Sequence, residues 1–234
     1  MKNLYWVFSK LSRVKDIPRY IVELPSYLRG YACATTRWGD RMKVPFPEFR
    51  SIVEKGYITG HGEEGVYEYL DSHLTDNDIF FDVGANAGFY TLLANHRGAR
   101  VYSFEPFPST FEMLHGNVRT NCNEKRVTIL PYAVSEHEGT VHMRKMHTAG
   151  VNLVSPDGNV PVQAISLDGF DVVPTVMKVD VEGHELSVFK GAQIMLRKHM
   201  PAIIAEVSPE SRDYLVSLGY TATLLGKTNY LFSR

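Results

Sequence analysis

The sequence predicts a doubly wound α/β fold, in which helices cover both faces of a mostly parallel sheet. From residue 79 onward, apolar runs of strand length alternate with stretches of helical pattern. Near-continuous apolar runs joined by helical crossovers are typical of buried parallel strands. The chain ends in two short strand-like runs around a Gly-Lys-Thr-Asn turn. This ending predicts a terminal antiparallel hairpin, which an all-parallel dinucleotide-binding domain would not supply.

The elements follow from these patterns in chain order. Residues 1–60 mix prolines with basic and aromatic residues, and we expect a helical cap with loops there, followed by one α/β domain over residues 61–234. The domain begins with an amphipathic helix, because apolar residues recur at helical spacing in GEEGVYEYLDSHL. The predicted strands of the sheet are IFFDV, RVYSFE, VTILPYAV, TVMKVD and AIIAEV. The predicted helices cover 87–96, 108–121, 184–199 and 210–218, and two further strands, GTVHMR and VPVQAIS, interrupt the alternation.

Size and charge limit the classes of function. A chain of 234 residues with 44% hydrophobic content can bury one substantial core. The formal net charge of −1 creates no overall field that would recruit nucleic acid or an anionic membrane. The N-terminal region is a local exception to this low net charge. Its basic residues could form a face for weak peripheral membrane contact, or they could form the solvated face of a cap helix. These residues are Lys2, Lys10, Arg13, Lys15 and Arg19.

Cysteine usage and hydropathy bear on the compartment. Cys33 and Cys122 are the only two cysteines, which is too few for a disulfide framework and too isolated for a zinc knuckle. The apolar run at Leu4–Phe8 is too short for a signal sequence or a transmembrane segment. We therefore expect a reducing, cytoplasmic location.

The turn after the first strand, in FFDVGANAGFYTLLA, predicts a ligand site. Ligands of open α/β sheets bind beyond the carboxyl ends of the strands. Gly84 permits a tight turn there, and Gly88 allows the next helix to approach the strand and the ligand closely. A helix start of this kind favours an anionic group.

Two nucleoside ligands compete for this turn. A dinucleotide fingerprint reads G-x-G-x-x-G, whereas this chain reads G-A-N-A-G, with Asn86 in place of the middle glycine and Asp82 just before the turn. The Asp82 carboxylate would repel a pyrophosphate, but it tolerates the ammonium and sulfonium of S-adenosylmethionine. The next strand ends at Glu105, whose carboxylate can accept hydrogen bonds from two ribose hydroxyls. The combination favours S-adenosylmethionine over a nicotinamide dinucleotide.

Several motifs together resemble the FkbM-type methyltransferases, a class I family that uses S-adenosylmethionine. They are FDVGANAGFYTLLA, FEPFPSTFEMLHGNV, YAVSEHEGTV, MKVDVEGHELSVFKGA and PAIIAEV, in the family's order between residues 61 and 207. The resemblance implies a seven-stranded sheet with a terminal antiparallel hairpin, S-adenosylhomocysteine as the product, and methyl transfer most often to a hydroxyl oxygen. Characterised relatives modify sugars and natural products. The acceptor is therefore expected to be a sugar, a nucleotide-sugar, a glycan or another polyhydroxylated small molecule.

The resemblance also implies a set of cofactor-binding residues. The methionine end of the donor would be lined by Asp82, Gly84, Ala85, Asn86 and Gly88. Glu105, with Pro106 after it, would hold the ribose, and Ala133 and Val134 would flank the adenine. An acid near the adenine amine is common in class I enzymes, and Ser135 and Glu136 occupy the corresponding positions here.

Carboxylates at two neighbouring strand ends predict the acceptor side. Asp180 ends one strand, Glu182 and His184 follow it, and Glu206 ends the next. An enclosed acid is unfavourable unless it is hydrogen-bonded, paired or bound to a cation. One interpretation is a substrate clamp with a general base, either Asp180 or His184, whose intrinsic pKa suits proton transfer. The other is that the acids cap the following helix, and for Glu185 we prefer this structural interpretation.

Three further expectations concern the mouth of the site. His61 is placed to reach the acceptor, and Asn152, in the loop 146–160, is expected to contact it or close over it, although an ordinary hairpin excursion is the alternative. Asp180, Glu182 and Glu206 offer oxygen ligands suited to Mg²⁺ or Ca²⁺. No paired histidines or cysteines support zinc, so we do not expect a required metal.

Two other functions remain open from the sequence. A nicotinamide-dependent oxidoreductase would use a similar sheet, but Asp82 and the missing middle glycine count against it. A non-catalytic binding module could keep the methyltransferase shell, although the intact set Asp180, Glu182 and Glu206 argues against such decay.

Overall fold

The structure, a computed structural model, describes residues 29–45, 57–58, 64–123, 125–145 and 152–234. The strands are β1 Tyr31–Thr36, β2 Arg41–Pro45, β3 Tyr57–Ile58, β4 Ile79–Val83, β5 Arg100–Phe104, β6 Val127–Leu130, β7 Ala133–Val134, β8 Gly139–Lys145, β9 Asn152–Val154, β10 Val160–Ile165, β11 Val176–Val179, β12 Ala202–Glu206, β13 Thr221–Leu225 and β14 Asn229–Ser233. The α-helices are α1 Glu64–His73, α2 Phe89–His96, α3 Pro108–Asn121, α4 Glu185–Lys190, α5 Gln193–His199 and α6 Pro209–Ser217.

The main sheet has seven strands in the order β13-β14-β12-β11-β4-β5-β6. Its strands from β12 to β6 are parallel, whereas β14 pairs antiparallel with both β12 and β13. The predicted doubly wound sheet and its terminal antiparallel hairpin are therefore confirmed. Strands β4 and β11 lie side by side in the centre, so their carboxyl ends open at the same edge of the sheet.

Two apolar clusters cover the faces of this sheet. One contains Phe81 and Val179 with residues of α4, α5 and α6, and the other contains Phe80 and Ile204 with residues of α1, α2 and α3. Alternate residues of β4 enter opposite clusters because successive strand side chains point to opposite faces. The near-continuous apolar runs of the sequence thus correspond to strands that are buried on both sides.

A second sheet of four strands, β7-β10-β8-β9, interrupts the alternation after β6. The sequence run VTILPYAV was predicted as one strand, and that prediction is wrong. The run divides at Pro131 and Tyr132 into β6, in the main sheet, and β7, in the second sheet. Proline has no N–H to donate to a sheet ladder, so the chain changes partners there.

The predicted helix over 184–199 is in fact two short helices, α4 and α5. The break lies at Gly191, where an added Cβ would collide with the carbonyl oxygen of Ser135. Only glycine allows the second-sheet segment to pack this closely against the helical layer. His184 was expected inside the helix, but it is the residue that precedes α4.

The expectation of a helical cap is wrong for residues 31–45, which form an antiparallel hairpin of β1 and β2. The alternating burial of YACATT and RMKVP is the period-two pattern of half-buried strands. Ala32 and Met42 on its buried face pack with Leu92 of α2. The basic positions from Lys2 to Arg19 lie outside the described residues, so the proposed division at residue 60 stays a prediction.

Two asparagines of α3 hold this hairpin to the α/β domain. Asn117 exchanges hydrogen bonds with the backbone of Lys43, with its Oδ1 accepting at 2.7 Å and its Nδ2 donating at 2.8 Å. Asn121 does the same with Arg41 at 3.1 and 2.8 Å. The two amides therefore continue the ladder of β2 as a neighbouring strand would. Within the part of the chain that the structure describes, no helix is long and apolar enough to cross a membrane.

Candidate functional site

The turn after β4 carries the first part of the site. Gly84 has a φ of 84°, and a Cβ there would collide with the carbonyl oxygen of Asp180 in the neighbouring turn. Its position therefore requires glycine both for conformation and for close approach. Gly88, at a φ of 92°, is the residue before α2, and a Cβ there would lie 2.5 Å from Leu114 Cδ1. The glycines thus pack the turn against a strand end and a helix.

Glu105 lies at the end of β5 with its carboxylate buried. Its Oε2 accepts a hydrogen bond from the Asn86 N–H, and its Oε1 accepts one from the Phe107 N–H, both at 2.9 Å. Burial raises the pKa of Glu105 to about 7, with smaller upward contributions from Asp82 and Asp180, although the two N–H groups oppose the shift. The carboxylate is therefore fixed in position and held near the point of ionisation at neutral pH.

Asn86 presents an unsatisfied acceptor at the same turn. It adopts a φ of 51°, which asparagine tolerates better than most residues. Its side-chain Oδ1 is buried and has no hydrogen-bond partner among the described residues. Buried carbonyl oxygens are almost always paired, so this one is suited to accept a hydrogen bond from a ligand.

Asp82 lies behind the turn rather than in it. The side chain is 1% exposed and its Oδ2 accepts a 2.6 Å hydrogen bond from the Thr91 hydroxyl of α2. Burial raises the pKa of Asp82 to about 6, whereas the positive charge of Lys178 lowers it. The expectation that Asp82 lines the ligand site is not met, because alternation along β4 turns its side chain toward α2.

Asp180 follows β11 directly, and its carboxylate is held from inside the protein. Its Oδ2 lies 2.8 Å from Lys178 Nζ, and the two side chains are 39% and 3% exposed. Lys178 is not among the site residues predicted from the sequence. The signal was available, because a lysine in the middle of the apolar run TVMKVD must be buried and therefore needs an anionic partner.

The turn after Asp180 has unusual backbone geometry. Glu182 adopts a φ of 54° and Gly183 one of 91°, so two successive residues are left-handed. Burial raises the pKa of Glu182, and the charges of Asp180, Glu185 and Glu206 add to that effect. Glu185 Oε1 accepts a 3.0 Å hydrogen bond from the Gly183 N–H, in agreement with the structural interpretation preferred for Glu185.

His184 joins this turn to the second sheet. Its Nε2 lies 3.0 Å from the hydroxyl oxygen of Ser135, which follows β7. Burial lowers the pKa of His184, so the ring is neutral near pH 7 and can exchange a hydrogen bond with that hydroxyl in either direction. Ser135 is thereby engaged with a side chain of the other strand end.

These strand ends enclose one cavity of about 570 Å³, counting its space open to solvent. Nine of the predicted site residues line this cavity: Gly84, Asn86, Glu105, Pro106, Ala133, Val134, Asp180, Glu182 and His184.

Other predicted residues lie elsewhere. Ala85, Gly88 and Glu206 do not line the cavity, although Glu206 is close enough to raise the pKa of Glu182. His61 lies outside the described residues. Asn152 is the first residue of β9, where its backbone pairs with Lys145. The structure does not describe its side chain, so its predicted contact with the acceptor stays a prediction.

The second sheet supplies a wall that the sequence did not reveal. Met143 of β8 and Val154 of β9 are paired across the strands and both line the cavity, beside Tyr132. Phe107, Ala133 and Met143 share a buried apolar cluster. The insertion therefore packs on the strand ends of the main sheet and closes one side of the cavity with apolar surface.

Among the described residues, no group of three or more histidine, cysteine, aspartate or glutamate side chains is arranged to hold a metal ion. The cavity carries three carboxylates, from Glu105, Asp180 and Glu182, and the described residues that line it include neither lysine nor arginine. Such a lining suits hydroxyl donors and cationic groups.

Known methyltransferases resemble this chain in sequence. A family model described as the methyltransferase FkbM domain matches residues 82–222. The hexuronic acid methyltransferase AglP of Haloferax volcanii is 32% identical over 72% of this chain and 73% of its own. The 31-O-demethyl-FK506 methyltransferase FkbM of Streptomyces tacrolimicus is 26% identical over 76% of this chain and 78% of its own.

The fold also resembles a solved structure. A methyltransferase FkbM from Methylobacillus flagellatus KT superposes with a TM-score of 0.55 at 22% identity. The match covers 68% of this chain but only 44% of that protein, so this chain corresponds to less than half of its length.

Proposed function

Because this chain belongs to the FkbM family of S-adenosylmethionine-dependent methyltransferases, we propose that it methylates a hydroxyl oxygen of a sugar or another polyhydroxylated small molecule. Two observations support an oxygen acceptor of this kind. One curated relative is named for hexuronic acid, and the name of the other specifies an oxygen that lacks its methyl group. The carboxylate-lined cavity is also suited to binding hydroxyl groups.

The proposed binding of S-adenosylmethionine depends mainly on Glu105. A buried carboxylate at a strand end, fixed by two N–H groups and facing a cavity, can still accept hydrogen bonds from two ribose hydroxyls. The unpaired Oδ1 of Asn86 would accept a hydrogen bond from the ammonium or a hydroxyl of the same ligand. Ala133, Val134 and Met143 provide apolar surface for the adenine ring.

When bound, S-adenosylmethionine would supply a methyl group carried on a sulfonium. The acceptor oxygen would bond to this carbon, the carbon–sulfur bond would break with its electron pair on sulfur, and the hydroxyl would lose its proton. The chain's own residues orient the acceptor and receive that proton. We assign the proton to Asp180, which lines the cavity and has one oxygen held by Lys178. Glu182 would hold another hydroxyl of the acceptor. Alignment of this kind contributes on the order of 7–11 kcal/mol to such reactions.

His184 has a supporting role in this proposal. Its Nε2 is engaged with Ser135, so the ring is oriented along the cavity wall rather than free to move. Its lowered pKa keeps it uncharged beside a cationic donor, and this avoids repulsion.

Ligand binding separates the three candidate functions. A methyltransferase is expected to gain thermal stability with S-adenosylhomocysteine and none with NAD. Incubation with S-adenosylmethionine and a panel of glycosides should then release S-adenosylhomocysteine, and mass spectrometry with NMR of the product should show an O-methyl group. Stabilisation by NAD alone would favour the oxidoreductase. Donor binding without turnover on any acceptor would favour the binding module.

A further inference from the structure

Lys178 is a buried cation in the centre of the main sheet. Its side chain is 3% exposed, and Nζ lies 4.8 Å from the centroid of the Tyr90 ring of α2. Lysine is almost never buried to this degree unless it is paired, since its desolvation is unfavourable. The groups around Lys178 must therefore stabilise its buried charge.

Two carboxylates flank this ammonium group, and they differ in their surroundings. In the sheet register Lys178 lies opposite Asp82, which is 1% exposed and lies behind the cavity. The Lys178 ammonium also lies 2.8 Å from Oδ2 of Asp180, which lines the cavity and is 39% exposed. Lys178 thus connects the interior of the sheet to the acceptor side of the site.

The contact leaves the two oxygens of Asp180 in different states. Oδ2 is engaged by Lys178, which leaves Oδ1 as the second acceptor of this partly exposed carboxylate. A carboxylate that is held through one oxygen by a rigid interior group has its rotation restricted. Its other oxygen is then available to the cavity in a defined direction.

We propose that Lys178 is a positioning residue for methyl transfer: it holds Asp180 through Oδ2 so that Oδ1 receives the hydrogen bond, and then the proton, of the acceptor hydroxyl. The inference depends on the proposed function and adds the residue that sets the geometry of its base. The proton taken up by Asp180 passes to water after product release. The alternative is a structural role, in which Lys178 only neutralises the buried Asp82.

A double-mutant cycle distinguishes positioning from neutralisation. For Lys178→Met we expect kcat to fall by about tenfold or more, while the Kd for S-adenosylhomocysteine stays within about threefold of wild type. In the Asp180→Asn background the same substitution should change kcat by less than about threefold, because both changes remove the same oriented oxygen. A kcat within about twofold of wild type for Lys178→Met, or effects that multiply fully in the double variant, would overturn the proposal.

Two further variants cover the case in which Lys178→Met does not fold because Asp82 is left as an unpaired buried charge. Asp82→Asn with Lys178→Met removes both buried charges, and Asp82→Asn alone is the matched control. We expect kcat of the double variant to fall by about tenfold or more, as for Lys178→Met, and the Asp82→Asn control to keep most of the wild-type kcat. Equal loss in both variants would indicate that Asp82, and not Asp180, is the partner that matters.

A crystal structure of the Lys178→Met variant, or of Asp82→Asn with Lys178→Met, tests the inference without any turnover. The Asp180 carboxylate is expected to leave the position that it occupies beside Lys178 in the wild-type protein. An unchanged Asp180 in such a structure would overturn the positioning role, whatever acceptor the enzyme uses. Failure of the proposed function itself has a different signature, namely a wild-type protein that methylates none of the hydroxyl acceptors.

Discussion

At the scale of single residues, the site depends on carboxylates whose surroundings differ. Glu105 is buried and held by two backbone N–H groups, whereas Asp180 is half exposed and held by a buried lysine. The first is suited to a ligand that stays bound through the reaction and the second to a proton that must leave. This difference in environment, and not residue type, is the basis on which we propose different roles for the two acids.

The raised pKa of Glu105 predicts that donor binding depends on pH. The empty protein protonates Glu105 below about pH 7, whereas ribose hydroxyls bind best to the ionised form, so binding must release a proton in acid solution. The Kd for S-adenosylhomocysteine is therefore expected to rise as the pH falls from about 8 to about 6, by up to about tenfold per unit. Calorimetry in two buffers of different ionisation enthalpy measures the proton release.

Glu105→Gln is the matched control for this pH dependence. It keeps the shape of the side chain, should bind more weakly at about pH 8, and should show a nearly flat profile. A Glu105→Gln profile as steep as that of wild type would show that another group is responsible.

The choice of base gives a second prediction at this scale. For Asp180→Asn we expect kcat to fall on the order of 10²–10⁴-fold with donor affinity nearly unchanged, because the proton acceptor is lost and the donor contacts are kept. For His184→Gln, which retains a hydrogen-bonding partner for Ser135, the loss should be less than about tenfold. Steady-state kinetics and calorimetry on both variants check this, and the reverse order would make His184 the base.

At the scale of elements, the attachment of the N-terminal hairpin predicts a difference between two similar asparagines. Asn117 and Asn121 each make three hydrogen bonds through one amide, but Asn117 is 2% exposed and Asn121 is less buried. Asn117→Ala leaves the buried carbonyl oxygen of Ala87 unpaired, where water cannot replace the amide, and also removes the partner of the part-buried backbone groups of Lys43. We expect it to lower the free energy of unfolding by about 2–3 kcal/mol.

Asn121→Ala serves as the control for Asn117→Ala. Water can reach the backbone groups that Asn121 leaves, so the expected loss is about 1 kcal/mol or less. Urea denaturation followed by circular dichroism measures both variants. Equal losses would mean that burial does not govern the strength of this attachment.

Breaks between elements are the second feature at this scale. Gly191 separates α4 from α5 because a side chain there would meet the backbone of Ser135. The same packing brings Ser135 to His184, 49 residues further along the chain. A run that reads as one helix is therefore divided by a contact with another part of the fold.

At the scale of the whole molecule, the charge of the cavity predicts the charge of the acceptor. The carboxylates of Glu105, Asp180 and Glu182 face a lining whose described residues include no lysine or arginine. A neutral glycoside is therefore expected to be a better acceptor than the corresponding hexuronate, even though one relative is named for hexuronic acid. The comparison of kcat/KM for a matched hexoside and hexuronoside measures this preference.

Glu182→Gln tests whether the carboxylates cause the preference. Removing one negative charge should narrow the ratio of kcat/KM between the two acceptors, and added salt should narrow it in wild type. A wild-type enzyme that prefers the hexuronoside would show that a cation from outside the described lining, rather than this acidic wall, governs acceptor binding.

Local patterns in the sequence were enough for the fold class, the terminal hairpin, the family and most of the cavity lining. The reason is that strand, turn and helix at Phe80–Ala94 interact over short separations, so residues such as Gly84 and Asn86 are placed by their immediate neighbours. The tertiary structure decided what depends on packing between distant segments. It turned Asp82 away from the cavity, divided the run VTILPYAV between two sheets, brought Met143 to the cavity wall and joined Lys178 to Asp180. Side-chain direction on a sheet and contacts across it are set by register and by neighbouring elements, and a single stretch of sequence does not contain that information.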